Sequence, residues 1–168
     1  WASSHLLSYN VTKWMNLSLF ESVVWQDKDT LVNRGPDINY FNPFVFFRPV
    51  EYGIGSADNS LIGAGLKITI DKQFLIYSSF ILDEFYLIEI RNRNGWWGNK
   101  YGFQIGLKSF DLFKLDGLYS ILEFNSVRPF TYSHMSSKQN YGHKNHSLAH
   151  PLESNFKEFL VLAGFQRN

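Results

Sequence analysis

Residues Phe80–Gly106 read FILDEFYLIEIRNRNGWWGNKYGFQIG, and the fold turns on how this stretch is interpreted. It opens as an apolar run that climbs to two adjacent carboxylates, Asp83 and Glu84. A charged and aromatic connection follows, and the chain returns as a second strand from Tyr101 to Ser109. On the return, Tyr101, Phe103, Ile105 and Leu107 alternate with Gly102, Gln104, Gly106 and Lys108. A period of two places large apolar side chains on one face of a strand and small or polar ones on the other. A soluble sandwich and a membrane barrel both produce that pattern, so the connections between strands have to discriminate.

The same alternation predicts seven strands, over residues 3–10, 13–25, 61–70, 73–83, 101–111, 117–127 and 157–167. The clearest is 61–70, where Ile62, Ala64, Leu66, Ile68 and Ile70 oppose Gly63, Gly65, Lys67 and Thr69. In 157–167 the apolar set is Phe159, Val161, Ala163 and Phe165. Two strands are mixed: Glu21 falls among Leu17, Leu19 and Val23, and Glu123 and Asn125 oppose Leu122 and Phe124. The connections then alternate strictly. Asn10–Thr12, Asp71–Lys72 and Leu112–Asp116 are short enough for hairpins, whereas Gln26–Ser60, Glu84–Lys100 and Arg128–Leu152 are long. In an up-and-down meander this gathers the short turns at one end and the long loops at the other, the asymmetry of outer-membrane barrels. The expected fold class is therefore all-β, an antiparallel up-and-down meander that fits part of a large transmembrane β-barrel, with an aromatic-rich soluble β domain left open by the pattern alone. Seven strands leave an odd edge, and a barrel in hydrocarbon must close. Residues 1–168 are thus expected to be a single barrel segment, completed by more of the same chain or by neighbours.

Composition agrees with this expectation and removes alternatives. Aromatic residues make up 18% of the 168 residues, with sixteen Phe, nine Tyr and five Trp, while mean hydropathy is slightly negative. No apolar run approaches the roughly 20 residues of a membrane helix, a test that barrel strands escape because they alternate. A net charge of +1 advertises no polyanion, so no nucleic-acid partner is expected. The absence of cysteine excludes a disulfide scaffold, a thiolate metal site and a cysteine nucleophile.

The long connections carry whatever chemistry there is. In the first, three prolines (Pro36, Pro43 and Pro49) forbid a continuous helix, leaving room for a short turn near Pro43 and an Arg48–Glu51 ion pair. In the second, Asp83 and Glu84 are the residue types of a glycosidase pair, but neighbours on a strand point to opposite faces. Trp96 and Trp97 stand between Gly95 and Gly98, as in a platform that stacks on sugar rings or in an interfacial aromatic girdle. The third holds His134, His143, His146 and His150, whose spacings suit zinc on paper. No organising helix or loop carboxylate accompanies them, so neither a metal nor a cofactor is expected. No G-x-S-x-G elbow and no phosphate-cradling glycine motif is present.

Taken in order, several long motifs resemble one family. NPFVFFRPVEYGIGSADNSLIGAGLKI (42–68), LDEFYLIEIRNRNGWWGNKYGFQIGLK (82–108), NSVRPFTYSH (125–134), NYGH (140–143) and LAHPLESNFKE (148–158) look like Wzi-type capsule-assembly outer-membrane proteins. The resemblance implies a large β-barrel in the bacterial outer membrane, of which this chain is an internal or C-terminal portion. It implies a non-catalytic role in which surface or capsular polysaccharide is bound and held to the cell. Related sequences of gliding bacteria are associated with surface motility, so the alternative is a structural component of a motility or secretion assembly. The expected partners are outer-membrane lipid, polysaccharide and envelope proteins. The resemblance assigns no sugar contacts. Residue chemistry nominates Trp96 and Trp97 for stacking, Arg91, Arg93 and Arg128 for acidic sugars, and Tyr132 and His134 as hydroxyl partners. A glycan hydrolase using Asp83 and Glu84 is the third reading.

Overall fold

A computed structural model describes residues 1–28, 35–42, 58–144 and 146–166. Its framework is seven long strands: β1 (Ala2–Asn10), β2 (Met15–Val24), β3 (Asn59–Ile70), β4 (Phe74–Glu84), β5 (Lys100–Phe110), β6 (Leu118–Val127) and β9 (Phe156–Phe165). They form one sheet in the order β1-β2-β3-β4-β5-β6-β9, and every neighbouring pair is antiparallel. Each of the seven strands expected from the alternation is present, with ends displaced by a few residues at most. Two smaller elements carry no alternating pattern: the five-residue helix α1 (Leu87–Arg91) and a miniature hairpin of β7 (Gly142–His143) and β8 (His146–Ser147). The turn near Pro43 and the Arg48–Glu51 pair lie outside the described residues.

Because the strands run up and down in sequence order, the connections sort by length. Residues 11–14, 71–73 and 111–117 join strands at one rim, and the chain leaves and re-enters the sheet at the other for the β2–β3, β4–β5 and β6–β9 connections. The tightest turn has Asp71 and Lys72 at φ of 48° and 59°, the two consecutive left-handed residues that a type I′ turn requires.

The register places matched chemistry in rows across the sheet. Met15, Ile68, Ile76, Leu107, Leu122 and Val161 stand side by side on six successive strands. The next row on the same face is Tyr9, Leu17, Leu66, Ser78, Ile105, Phe124 and Phe159. Much of this apolar face is open: Ile105 is 52% exposed and Phe159 69%. The opposite face is polar and bonded to itself. Tyr77 donates its hydroxyl to Glu123, and the Asn125 amide donates to Glu123 Oε1 (2.7 Å) and Glu158 Oε2 (2.9 Å). Glycines on this face make room for rings on the adjoining strand, with Phe20 over Gly63, Tyr77 over Gly106 and Tyr119 over Gly164. A Cβ at any of these positions would occupy the space of the ring.

Among the described residues, the buried apolar side chains are confined to the long-loop rim. Val23, Trp25 and Tyr40 form one cluster, and Leu61, Val127 and Tyr132 a second that includes Ile81, Tyr141 and Phe156. The outer edges of β1 and β9 have no strand partner among the described residues, so the sheet is open.

Candidate functional site

Two of the long connections leave the rim in opposite directions. The third connection is drawn onto the polar face by a bulge in β4. Leu82 pairs with Tyr101 while Glu84 pairs with Lys100, which leaves Asp83 as the extra residue. Adjacent positions on a regular strand would separate the two carboxylates, as the sequence suggests; the bulge instead brings both to bear on residues 132–133. Buried Asp83 accepts from the Tyr132 backbone N–H at 2.8 Å. Glu84 lies 3.1 Å from the Lys100 ammonium, which donates to the Ser133 carbonyl at 2.8 Å. Lys100 thereby offsets part of the negative charge at a buried position. Both carboxylates are engaged in holding the loop.

Tyr132, proposed from sequence as a hydroxyl partner, lies in the core beside Tyr141, their ring centroids 6.2 Å apart. Burial, reinforced by the Asp83 charge and by Tyr141, pushes its phenol up to about 12. His134 is half-buried, and its backbone N–H donates to Asn140 Oδ1 at 2.8 Å. Burial drives its imidazole below the ordinary value against the opposing pull of Glu84, and its Nδ1 has no hydrogen-bond partner among the described residues. Next to it Gln139 links the connections. Its amide donates to Asp58 Oδ1 (3.3 Å), its carbonyl accepts from Asn59 (2.9 Å), and Tyr40 donates to Asp58 Oδ2 (2.7 Å).

The third connection encloses a cleft of about 530 Å³ lined by Ser133, Lys138, Tyr141, His143, Lys144, His146 and Glu153, among others. Hydroxyls, imidazoles and two ammonium groups suit a polyhydroxylated or acidic ligand. The loop then descends over the sheet, where His150 lies 3.3 Å from Glu158 and its ring 4.5 Å from that of Phe156. Of the four loop histidines only His143 and His146, paired across the β7–β8 hairpin, share an environment; His134 and His150 lie apart from them. No group of three or more His, Asp or Glu among the described residues forms a metal-binding cluster.

The second connection turns the other way, onto the apolar face. Trp96 is half-buried edge-on against Tyr86 (5.1 Å, 80°). Trp97 is 59% exposed and meets exposed Phe130 edge-on (5.7 Å, 77°). Arg128 supports this arrangement: its Nη2 donates to the carbonyls of Gly95 (3.1 Å) and Trp96 (3.2 Å), and its guanidinium lies over the Tyr101 ring at 5.4 Å. Arg93 is exposed with φ of 51°, and Arg91 is exposed at the end of α1.

No protein-family model, curated protein or solved structure matches the chain. The site therefore rests on its own geometry. Of the seven nominated residues, Trp96, Trp97, Arg93 and Arg128 gather at the second connection, Arg91 stands exposed at the end of α1 outside the cleft they form, and Tyr132 and His134 belong to the third. Phe130, Lys138 and Lys144 were missed. The density of Lys and His between His134 and His146 was the available signal for the two lysines. Phe130 had none, because its meeting with Trp97 is purely tertiary.

Proposed function

We propose that this chain is a segment of an outer-membrane β-barrel whose loop rim binds and holds surface polysaccharide without catalysing a reaction. One observation carries the reading: a single antiparallel sheet has a continuous exposed apolar face, a self-bonded polar face, and all its long connections at one rim. Lipid would meet the first face and water the second, as in transmembrane barrels. The open edges of β1 and β9 would pair with further strands to complete the closure. The motifs resembling Wzi-type proteins point the same way. Sugar would stack on Trp97 and Phe130 and hydrogen-bond within the polar third-loop cleft, with many weak contacts along a repeating polymer summing to retention.

The test uses the complete protein in cells that display the polymer. A Trp97→Ala/Phe130→Ala variant should lose polysaccharide to shear several-fold faster than wild type while reaching the membrane in equal amount. Equal retention at equal membrane abundance removes the stacking role. A second reading, docking of an envelope protein in a motility or secretion assembly, draws on Met135, which is 99% exposed on the same rim. A stoichiometric protein partner lost on Met135→Lys, with polysaccharide retention unchanged, would favour it.

A further inference from the structure

Beneath the second connection lies a cleft of about 380 Å³ that opens on the apolar side of the sheet. Its floor is Phe80, Leu82 and Tyr101, all on the apolar face of β4 and β5 and continuous with the exposed rows below them. At its mouth stand Arg93 and Arg128. We propose that this cleft binds an anionic lipid of the surrounding leaflet, its phosphate between the two arginines and its acyl chain along the floor. The proposal rests on the membrane reading given above.

Three features select this occupant. The floor is ring faces and a leucine, its one polar group the Tyr101 hydroxyl, and the Asn99 amide oxygen beside it is already taken by the Tyr86 N–H (2.6 Å), so most hydroxyls of a glycan laid there would be desolvated without return. A small soluble anion would leave that floor bare, whereas an amphiphile covers floor and mouth together. Finally, Arg128 is immobilised by its two carbonyl contacts and by Tyr101, so its charge is held in place before any ligand arrives. Its remaining N–H donors suit a phosphate oxygen. Glu89 also lines the cleft, where it accepts from the Asn94 amide, and the two arginines leave the mouth net positive.

The test reconstitutes the complete protein in phosphatidylcholine nanodiscs and titrates it with short-chain phosphatidylglycerol, phosphatidylcholine or inorganic phosphate. Arg93→Asn removes the charge while keeping a residue that tolerates the left-handed backbone. Lys114→Gln, at the opposite rim, is the control. Wild type and Lys114→Gln should bind phosphatidylglycerol alike, and Arg93→Asn about tenfold more weakly, as expected for one lost charge-assisted contact. Phosphatidylcholine and free phosphate should bind far more weakly than phosphatidylglycerol. Equal phosphatidylglycerol affinity in wild type and Arg93→Asn overturns the site, as does equal affinity for all three probes. Flotation with vesicles separates the two ideas. A wild-type protein that fails to float overturns the membrane reading itself, whereas normal flotation with unchanged lipid affinity sinks only this site.

Discussion

The second and third long connections start from the same rim and end on opposite faces of the sheet. Residues 85–99 lie toward the apolar face and keep Tyr86, Leu87 and Ile88 exposed, while residues 128–155 cross the polar face and bury Thr131, Tyr132 and Gln139. A loop settles where its own groups find partners. The third has a carboxylate at the β4 bulge for the Tyr132 N–H and a lysine for the Ser133 carbonyl. The second is held by Arg128 and by ring contacts, and leaves its apolar surface exposed. The third connection is therefore built for internal stability and the second for contact with something else.

That contrast can be broken most forcefully at Leu61, fully buried under the third connection against Val127 and Tyr132. Leu61→Ala should lower unfolding free energy by about 2–5 kcal/mol, whereas Ile88→Ala, at a site 67% exposed, should stay within about 0.5 kcal/mol. Denaturant midpoints measure both, and comparable losses would end the distinction. A smaller, local effect is expected from Asp83→Ala, which strands the Tyr132 N–H at a cost of about 1–3 kcal/mol. Hydrogen exchange should accelerate at Tyr132 and leave the Gly95–Trp97 amides unchanged. Acceleration in both connections would mean that the two are one cooperative unit. The smallest effect concerns pH. The folded His134 lies below its ordinary value of 6.5, so the unfolded chain binds its proton first as pH falls. This contribution to loop stability, set by burial and opposed by the charges of Glu84 and Asp58 while Lys100 reinforces it, is intact above 6.5 and erodes below it. Exchange across residues 131–141, corrected for intrinsic rates, should rise in mild acid in wild type and stay flat in His134→Gln.

Most of the sheet was legible because strand chemistry is local. Ile62–Ile70 alternates with Gly63, Gly65, Lys67 and Thr69, and the structure pairs β3 over Asn59–Ile70. Even the glycines on the polar side have a cross-strand reason, since each of three accommodates a facing ring. The site was legible only in part. Arg128 reads as a free cation, yet its Nη2 is committed to the Gly95 and Trp96 carbonyls thirty-odd residues away. Tyr132 reads as a surface hydroxyl, and a bulge that alternation does not announce draws it into the core. The Tyr40–Asp58–Gln139 link spans more than eighty residues, and no local pattern encodes it.

Strand order has a kinetic corollary. Each long strand after β1 pairs with the long strand before it in the chain, β9 reaching β6 past the β7–β8 hairpin, so the ribbon can be laid down strand upon strand without threading any segment past another. The Asp71–Lys72 reversal closes the smallest ring and suits the role of seed, β2 and β5 then adding on either flank. The loop spanning residues 25–58 is the longest closure on that route and the natural slow step.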